Sequence, residues 1–143
     1  MDDSAVRAAR ELRVVFTRLR RRFREVAVAQ DDLSSSQLSV LMLLFKEGAS
    51  TASALAAAER VRPQSMATTL AALDQHGLIQ RAPDPDDGRR QLITLTAQGT
   101  ERAEGDTQAR AEWLARAMQT RYTESERRTM IEAMALLDRL TQP

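Results

Sequence analysis

The seventeen residues from Leu78 to Thr94 constrain the fold more than any other stretch of the chain. Two short apolar-rich runs flank a loop of Pro, Asp and Gly, the pattern of a β-hairpin with a long tip. Ile93 and Leu95 share one strand face, with Gln91 and Thr94 breaking the apolar run. Arg89 and Arg90 stand at the tip beside Asp84, Asp86 and Asp87. An arginine-tipped hairpin suits the groove of a nucleic acid, and the residues around it decide whether that reading holds.

Helical periodicity surrounds the hairpin. Leu12, Phe16, Leu19, Phe23 and Val26 recur at spacings of four, three, four and three within residues 4–29, a narrow apolar seam on a long helix. Gln30-Asp31-Asp32 interrupts the pattern. Ser34 with Gln37 predicts a capping box for a second helix carrying Leu38, Leu41, Met42, Leu44 and Phe45, with Gly48 available for a left-handed cap. A short third helix is expected with Ser50 as N-cap and Leu55 as its core anchor, followed by Val61 as an apolar plug. Pro63 opens a fourth helix at a position where its missing N–H costs nothing, and His76-Gly77 closes it. Beyond the hairpin, Thr96 caps a fifth helix reaching about Gln119, and a new cap in Tyr122–Glu126 starts a sixth carrying Met130, Ala133, Met134, Leu137 and Leu140.

The expected fold is mainly α, ordered α-α-α-α-β-hairpin-α-α, in one domain over residues 1–143. Residues 34–95 form a winged helix-turn-helix lobe. Residues 4–29 and 97–141 form a helical region whose apolar stripes need burial, most economically by a second copy of the chain.

Composition removes many alternatives. The absence of cysteine excludes disulfides, thiolate catalysis, thiol redox sensing and cysteine metal sites. One histidine, His76, is too few for a typical zinc centre, so neither metal nor cofactor is expected; a capping or helix-dipole role suits it better. The strongly apolar run from Val40 to Phe45 is too short to span a bilayer and no secretory signal opens the chain, so a cytoplasmic protein without membrane contact is expected. A formal net charge of +1 announces no polyanionic partner. The arginine run from Arg18 to Arg24 reads as a solvated helix face rather than a polybasic patch.

The fourth helix carries the chemistry. Phased at about 100° per residue, Leu70 and Leu73 fall within about 40° of Met66 and face the core. Gln64, Thr68 and Gln75 lie opposite, flanked by Ser65, Ala71 and Ala72. That face is small, uncharged and rich in hydrogen-bonding groups, as a helix entering the major groove requires. Gln64 suits an adenine edge and the Thr68 methyl a thymine methyl. The helix-turn-helix connection at Arg60-Val61-Arg62 and the following hairpin give Arg89 and Arg90 a minor-groove role. Asp87 is placed to pair with Arg89 and orient its guanidinium, while Asp84 and Asp86 suit turn geometry.

Asp87-Gly-Arg89 followed by Leu92-Ile-Thr-Leu95-Thr96-Ala-Gln-Gly99 is similar to the Asp-x-Arg and Leu-Thr-x-x-Gly pattern of the MarR (multiple antibiotic resistance regulator) family, which the chain resembles. Leu73-Asp-Gln-His-Gly77-Leu78-Ile79-Gln-Arg81 resembles its junction between recognition helix and wing, and Leu33-Ser34 with Gln37 and Val40-Leu41 the start of its second helix. The resemblance implies recognition-helix contacts at Gln64, Ser65 and Thr68, flanked by Pro63 and Thr69, and a wing contact at Arg89 with Asp87 as its positioner. The chain departs from the family at Thr68 and Gly88, where arginine is frequent, leaving Arg90 as a substitute in the wing. The resemblance also implies a homodimer on a pseudo-palindromic double-stranded operator, and a repressor released by a small effector in a cleft to which Arg13, Phe16, Arg20 and Trp113 are candidates. Two other classes compete: a winged helix used for protein contacts, and, weakest, an enzyme, which would lack a nucleophile, a paired histidine and a phosphate loop.

Overall fold

A computed structural model describes residues 2–28 and 32–142. The element order is α1 (Asp3–Val28), α2 (Ser35–Glu47), α3 (Ala52–Glu59), α4 (Pro63–Gln75), β1 (Ile79–Pro83), β2 (Gln91–Leu95), α5 (Ala97–Arg121) and α6 (Glu124–Asp138), the mainly α arrangement expected. The expected end of the first helix at Ala29, and the break at Gln30-Asp31, lie outside the described residues.

The chain divides into two compact units, Met1–Thr107 and Gln108–Pro143. The core of the first is a single apolar cluster in which Leu41, Leu55, Met66, Leu70, Leu73 and Ile93 are almost fully buried. It is built from one face each of α2, α3 and α4, closed by the hairpin. α3 packs on α4, and α2 on both α4 and β2. Met66, Leu70 and Leu73 being buried together is the phasing the sequence predicts for α4.

Local chemistry sets the element ends. Ser34 accepts a hydrogen bond from the Gln37 N–H, and the Gln37 side chain accepts one from the Ser34 N–H, completing the expected capping box. Gly48 closes α2 at φ 83°, ψ −159°; the positive φ is as expected, but the extended ψ makes this a glycine-only conformation rather than a left-handed cap. It swings the chain directly into an extended Ser50.

The N-cap of α3 is Thr51, not Ser50. Ser50 is already engaged as a third strand position: its N–H donates to Ile93 O at 3.1 Å and its carbonyl accepts from Ile93 N–H at 2.7 Å. Thr51, next in line with extended backbone, accepts from the Ala54 N–H at 3.2 Å. α3 ends on Arg60 in the left-handed region, and Val61, expected as an apolar plug, is 41% exposed on the outside of the connection.

The hairpin register pairs Ile79 with Leu95, Arg81 with Ile93 and Pro83 with Gln91. Ile79 and Ile93 are buried beneath it, with Leu95 half-buried on the same side. Thr96 begins α5 as expected, accepting from the Gly99 N–H at 3.0 Å and donating to Gly77 O at 2.6 Å, so one hydroxyl joins the end of the α4 turn to the start of α5.

In the second unit, Thr123 and Glu126 form a capping box for α6. The Thr123 N–H and hydroxyl hold the Glu126 carboxyl below the usual carboxylate range. No residue of α6 is buried: Ile131, Met134 and Leu136 are all more than half exposed, as is Leu140 just beyond its end. α1 in the first unit likewise exposes Val15 and Phe16.

Candidate nucleic-acid interface

α4 presents the face expected of it. Gln64, Ser65, Thr68 and Gln75 are exposed, with Pro63 at the helix start and Thr69 half-buried beside them. The Thr68 hydroxyl donates to Gln64 O at 3.2 Å and the Thr69 hydroxyl to Ser65 O at 3.1 Å. Both hydroxyl protons are thereby spent within the helix, leaving Thr68 to offer a methyl and an acceptor rather than a donor. Gln64 has no side-chain hydrogen bond among the described residues and keeps both amide functions available.

The hairpin tip is shaped by its aspartates. Asp84 Oδ1 accepts from the Asp86 N–H at 2.9 Å, and Asp87 Oδ1 from the Arg89 N–H at 3.1 Å. The Arg90 N–H donates to Asp87 O, and Arg90 O accepts from the Asp84 N–H. Asp87 therefore grips the backbone of Arg89 and not its guanidinium, because a side chain two residues back reaches the main-chain N–H in an Asx turn more readily than the end of a long arginine. The Arg89 guanidinium makes no ion pair or hydrogen bond among the described residues and is exposed at the tip. Arg90 behaves differently: its Nη2 lies 3.4 Å from Thr51 Oγ1 at the start of α3, a contact no spacing argument anticipates across 39 residues. Arg81 on β1 faces Asp74 of α4 at 3.9 Å.

A second polar cluster sits behind α4. Asp32 lies 3.7 Å from His76 Nδ1 and 3.6 Å from Arg102 Nη2, while Arg102 Nε lies 3.7 Å from Asp106. Together with Leu78, Gln98, Glu101 and Gly105 these residues line an open cleft. The His76 imidazole thus faces a carboxylate instead of capping helix carbonyls. Sequence reasoning missed Asp32 and Arg102 here because three separate segments supply the cluster. Among the described residues no His, Asp and Glu group is arranged to hold a metal ion, and no helix is long and apolar enough to cross a membrane.

Of the candidate effector residues, Arg13, Phe16 and Arg20 lie exposed on α1. Trp113 belongs to the second unit and is half-buried.

A winged helix-turn-helix can arise in many settings, and comparison with known proteins narrows it. A sequence model described as the MarR family matches residues 33–90. A helix-turn-helix-type transcriptional regulator of Mycobacterium bovis is 42% identical over 139 residues, covering 96% of this chain and 94% of its own length. The chain belongs to the MarR family.

A regulator of the same type from Mycobacterium leprae is 43% identical over 122 residues, covering 84% of this chain and 83% of its own. Among solved structures, a transcriptional regulator of Pseudomonas aeruginosa is 37% identical with TM-score 0.85, covering 100% of this chain and 99% of its own. Ligand-free MarR of Escherichia coli, 22% identical, shares the fold with TM-score 0.75 over 90% of this chain and 94% of its own. MarR-family regulators generally bind DNA as dimers, some are ligand-responsive repressors, and they are not enzymes.

Proposed function

We propose that this MarR-family protein is a homodimeric, sequence-specific DNA-binding repressor of nearby genes. One observation carries the proposal: a single lobe combines an exposed, uncharged Gln64/Ser65/Thr68 face on α4 with an exposed Arg89 guanidinium that has no partner among the described residues. The first suits base edges in a major groove, the second a flanking minor groove. In this reading Gln64 and Thr68 read bases, while Pro63, Ser65 and Thr69 set the approach of the helix. Arg89 enters the minor groove from a tip that Asp87 shapes.

Dimerisation is supported by the large exposed apolar side chains of α1 and α6, which a second copy would cover. A two-fold dimer reads a pseudo-palindrome, one α4 per half-site. Release by a small anionic or aromatic effector is supported by Arg13, Phe16 and Arg20, which fall within about 60° of one another on α1.

Competition binding tests the whole. A duplex carrying the gene's own upstream region is expected to outcompete random duplex at moderate salt. Equal binding of the two would contradict a sequence-specific regulator.

A further inference from the structure

The two wing arginines look interchangeable in sequence, and the structure separates them. Among the described residues Arg89 has no side-chain partner, whereas Arg90 reaches back to the start of α3. Its target, Thr51, is 8% exposed and is the one buried polar residue of the described chain. The Thr51 hydroxyl has three neighbours: it accepts from the Ala54 N–H at 3.2 Å and from Arg90 Nη2 at 3.4 Å, with Ser53 Oγ 3.2 Å away. A hydroxyl has two acceptor positions and one proton, so this set saturates it when Thr51 donates to Ser53.

The contact also lies at a junction. Ser50, the residue before Thr51, is bridged to Ile93 by two backbone hydrogen bonds, and Arg90 stands three residues before Ile93. The main chain of Arg90 closes the tip through Asp84 and Asp87. Arg90 thus ties the tip to α3 on the same edge where β2 is zipped to the connection before α3. Charge does not explain this placement, because the N-terminus of a helix repels a cation. Hydrogen-bond geometry holds it.

We infer that Arg90 is a positioning residue, a side-chain clamp between the wing and the N-cap of α3 that fixes where Arg89 points relative to α4. The clamp rests on the DNA-binding reading for its purpose but not for its existence. It divides the labour of the pair: Arg89 meets phosphate or groove, and Arg90 sets the angle of the wing.

The test uses the full-length protein, fluorescent duplexes of the gene's upstream region and of random sequence, and salt titrations of affinity. Arg90→Ala is expected to weaken binding about 3–10-fold, the scale of one ordinary hydrogen bond, without changing the salt slope. Thr51→Val is expected to do the same, the double variant to be no worse than either alone, and Thr51→Ser to match the wild type. A direct phosphate contact predicts the opposite: Arg90→Ala lowers the slope by about 0.9, and Thr51→Val adds independently to it. That result, or wild-type affinity in Arg90→Ala, overturns the clamp.

Amide exchange without DNA separates the clamp from the regulator reading. The Asp84 and Ile93 amides are expected to exchange faster in Arg90→Ala and Thr51→Val but not in Thr51→Ser. Unchanged exchange in Arg90→Ala refutes the clamp even if DNA binding is intact. Faster exchange supports it even if wild-type protein binds neither duplex.

Discussion

Replacing Gly99 with alanine would test how the wing is joined to the helices. Gly99 sits buried in the first turn of α5, and a Cβ built there would lie 2.0 Å from Leu78 O and 3.3 Å from Leu95 Cβ. Real Cβ atoms essentially never come within 3.0 Å of another heavy atom, so the clash is a full ångström deep. It is also with a backbone carbonyl, one that already accepts the Thr96 N–H at 3.0 Å and cannot turn away without losing that bond. Two effects oppose each other. Alanine gains about 1 kcal/mol over glycine in helix propensity. Overpacking against rigid backbone costs about 1–3 kcal/mol or somewhat more, and the lost Thr96 bond adds to it. The clash should win by about 1–2 kcal/mol, lowering Tm by roughly 3–8 °C at fixed protein concentration. Gly105 in the same helix is the control: a Cβ there meets nothing within 4 Å, so Gly105→Ala should raise Tm by a few degrees. Thermal unfolding of both variants decides the matter. Equal stabilisation by the two would show that α5 does not press on Leu78, and the account of the wing junction would fail.

Truncation after Tyr122, which removes α6, should abolish dimers in light scattering, because the exposed apolar side chains of Ile131, Met134, Leu136 and Leu140 go with it; a stable truncated dimer would refute that interface. Ser39→Ala should destabilise the protein by roughly 1 kcal/mol in denaturant unfolding, since its hydroxyl lies 2.9 and 2.8 Å from the two carboxylate oxygens of half-buried Glu59 and joins α2 to α3. Acid should weaken α6 in a defined direction. Glu126 is held low chiefly by the Thr123 N–H, and Glu124 chiefly by Arg127 and then Arg128, so both are depressed below 4.5 in the fold. Depressed carboxyls contribute stability that is fully present above 4.5 and is lost as pH falls through their folded values. Circular dichroism of Glu126→Ala should therefore show a smaller loss of helix on acidification than wild type, and an identical acid profile would count against the cap.

Much of this architecture was legible because local signals agree with the global fold. The capping box at Ser34 and Gln37, the Pro63 start of α4 and the burial of Met66, Leu70 and Leu73 depend on neighbours within a turn or two. Ser50 was misassigned because its fate is settled by Ile93, 43 residues away; a residue committed to a strand bridge cannot cap a helix. Val61 is apolar yet 41% exposed, following directly on the left-handed Arg60. At the site, the α4 face followed from periodicity, whereas the different fates of Arg89 and Arg90 did not. Their identities are the same, and only the long-range contact with Thr51 distinguishes them. The Asp32–His76–Arg102 cluster was hidden for the same reason.

The central claim is that α4 reads bases while the wing, through Arg89, reads the DNA backbone and groove. Its most direct test is the affinity of Arg89→Ala for upstream and random duplexes across about 50–200 mM salt, set beside Gln64→Ala. The account predicts that Arg89→Ala weakens both duplexes together and reduces the slope by about 0.9, while Gln64→Ala keeps the slope and erodes the preference by about 1–3 kcal/mol per lost base contact. Slopes unchanged by Arg89→Ala, together with a preference untouched by Gln64→Ala, would contradict it.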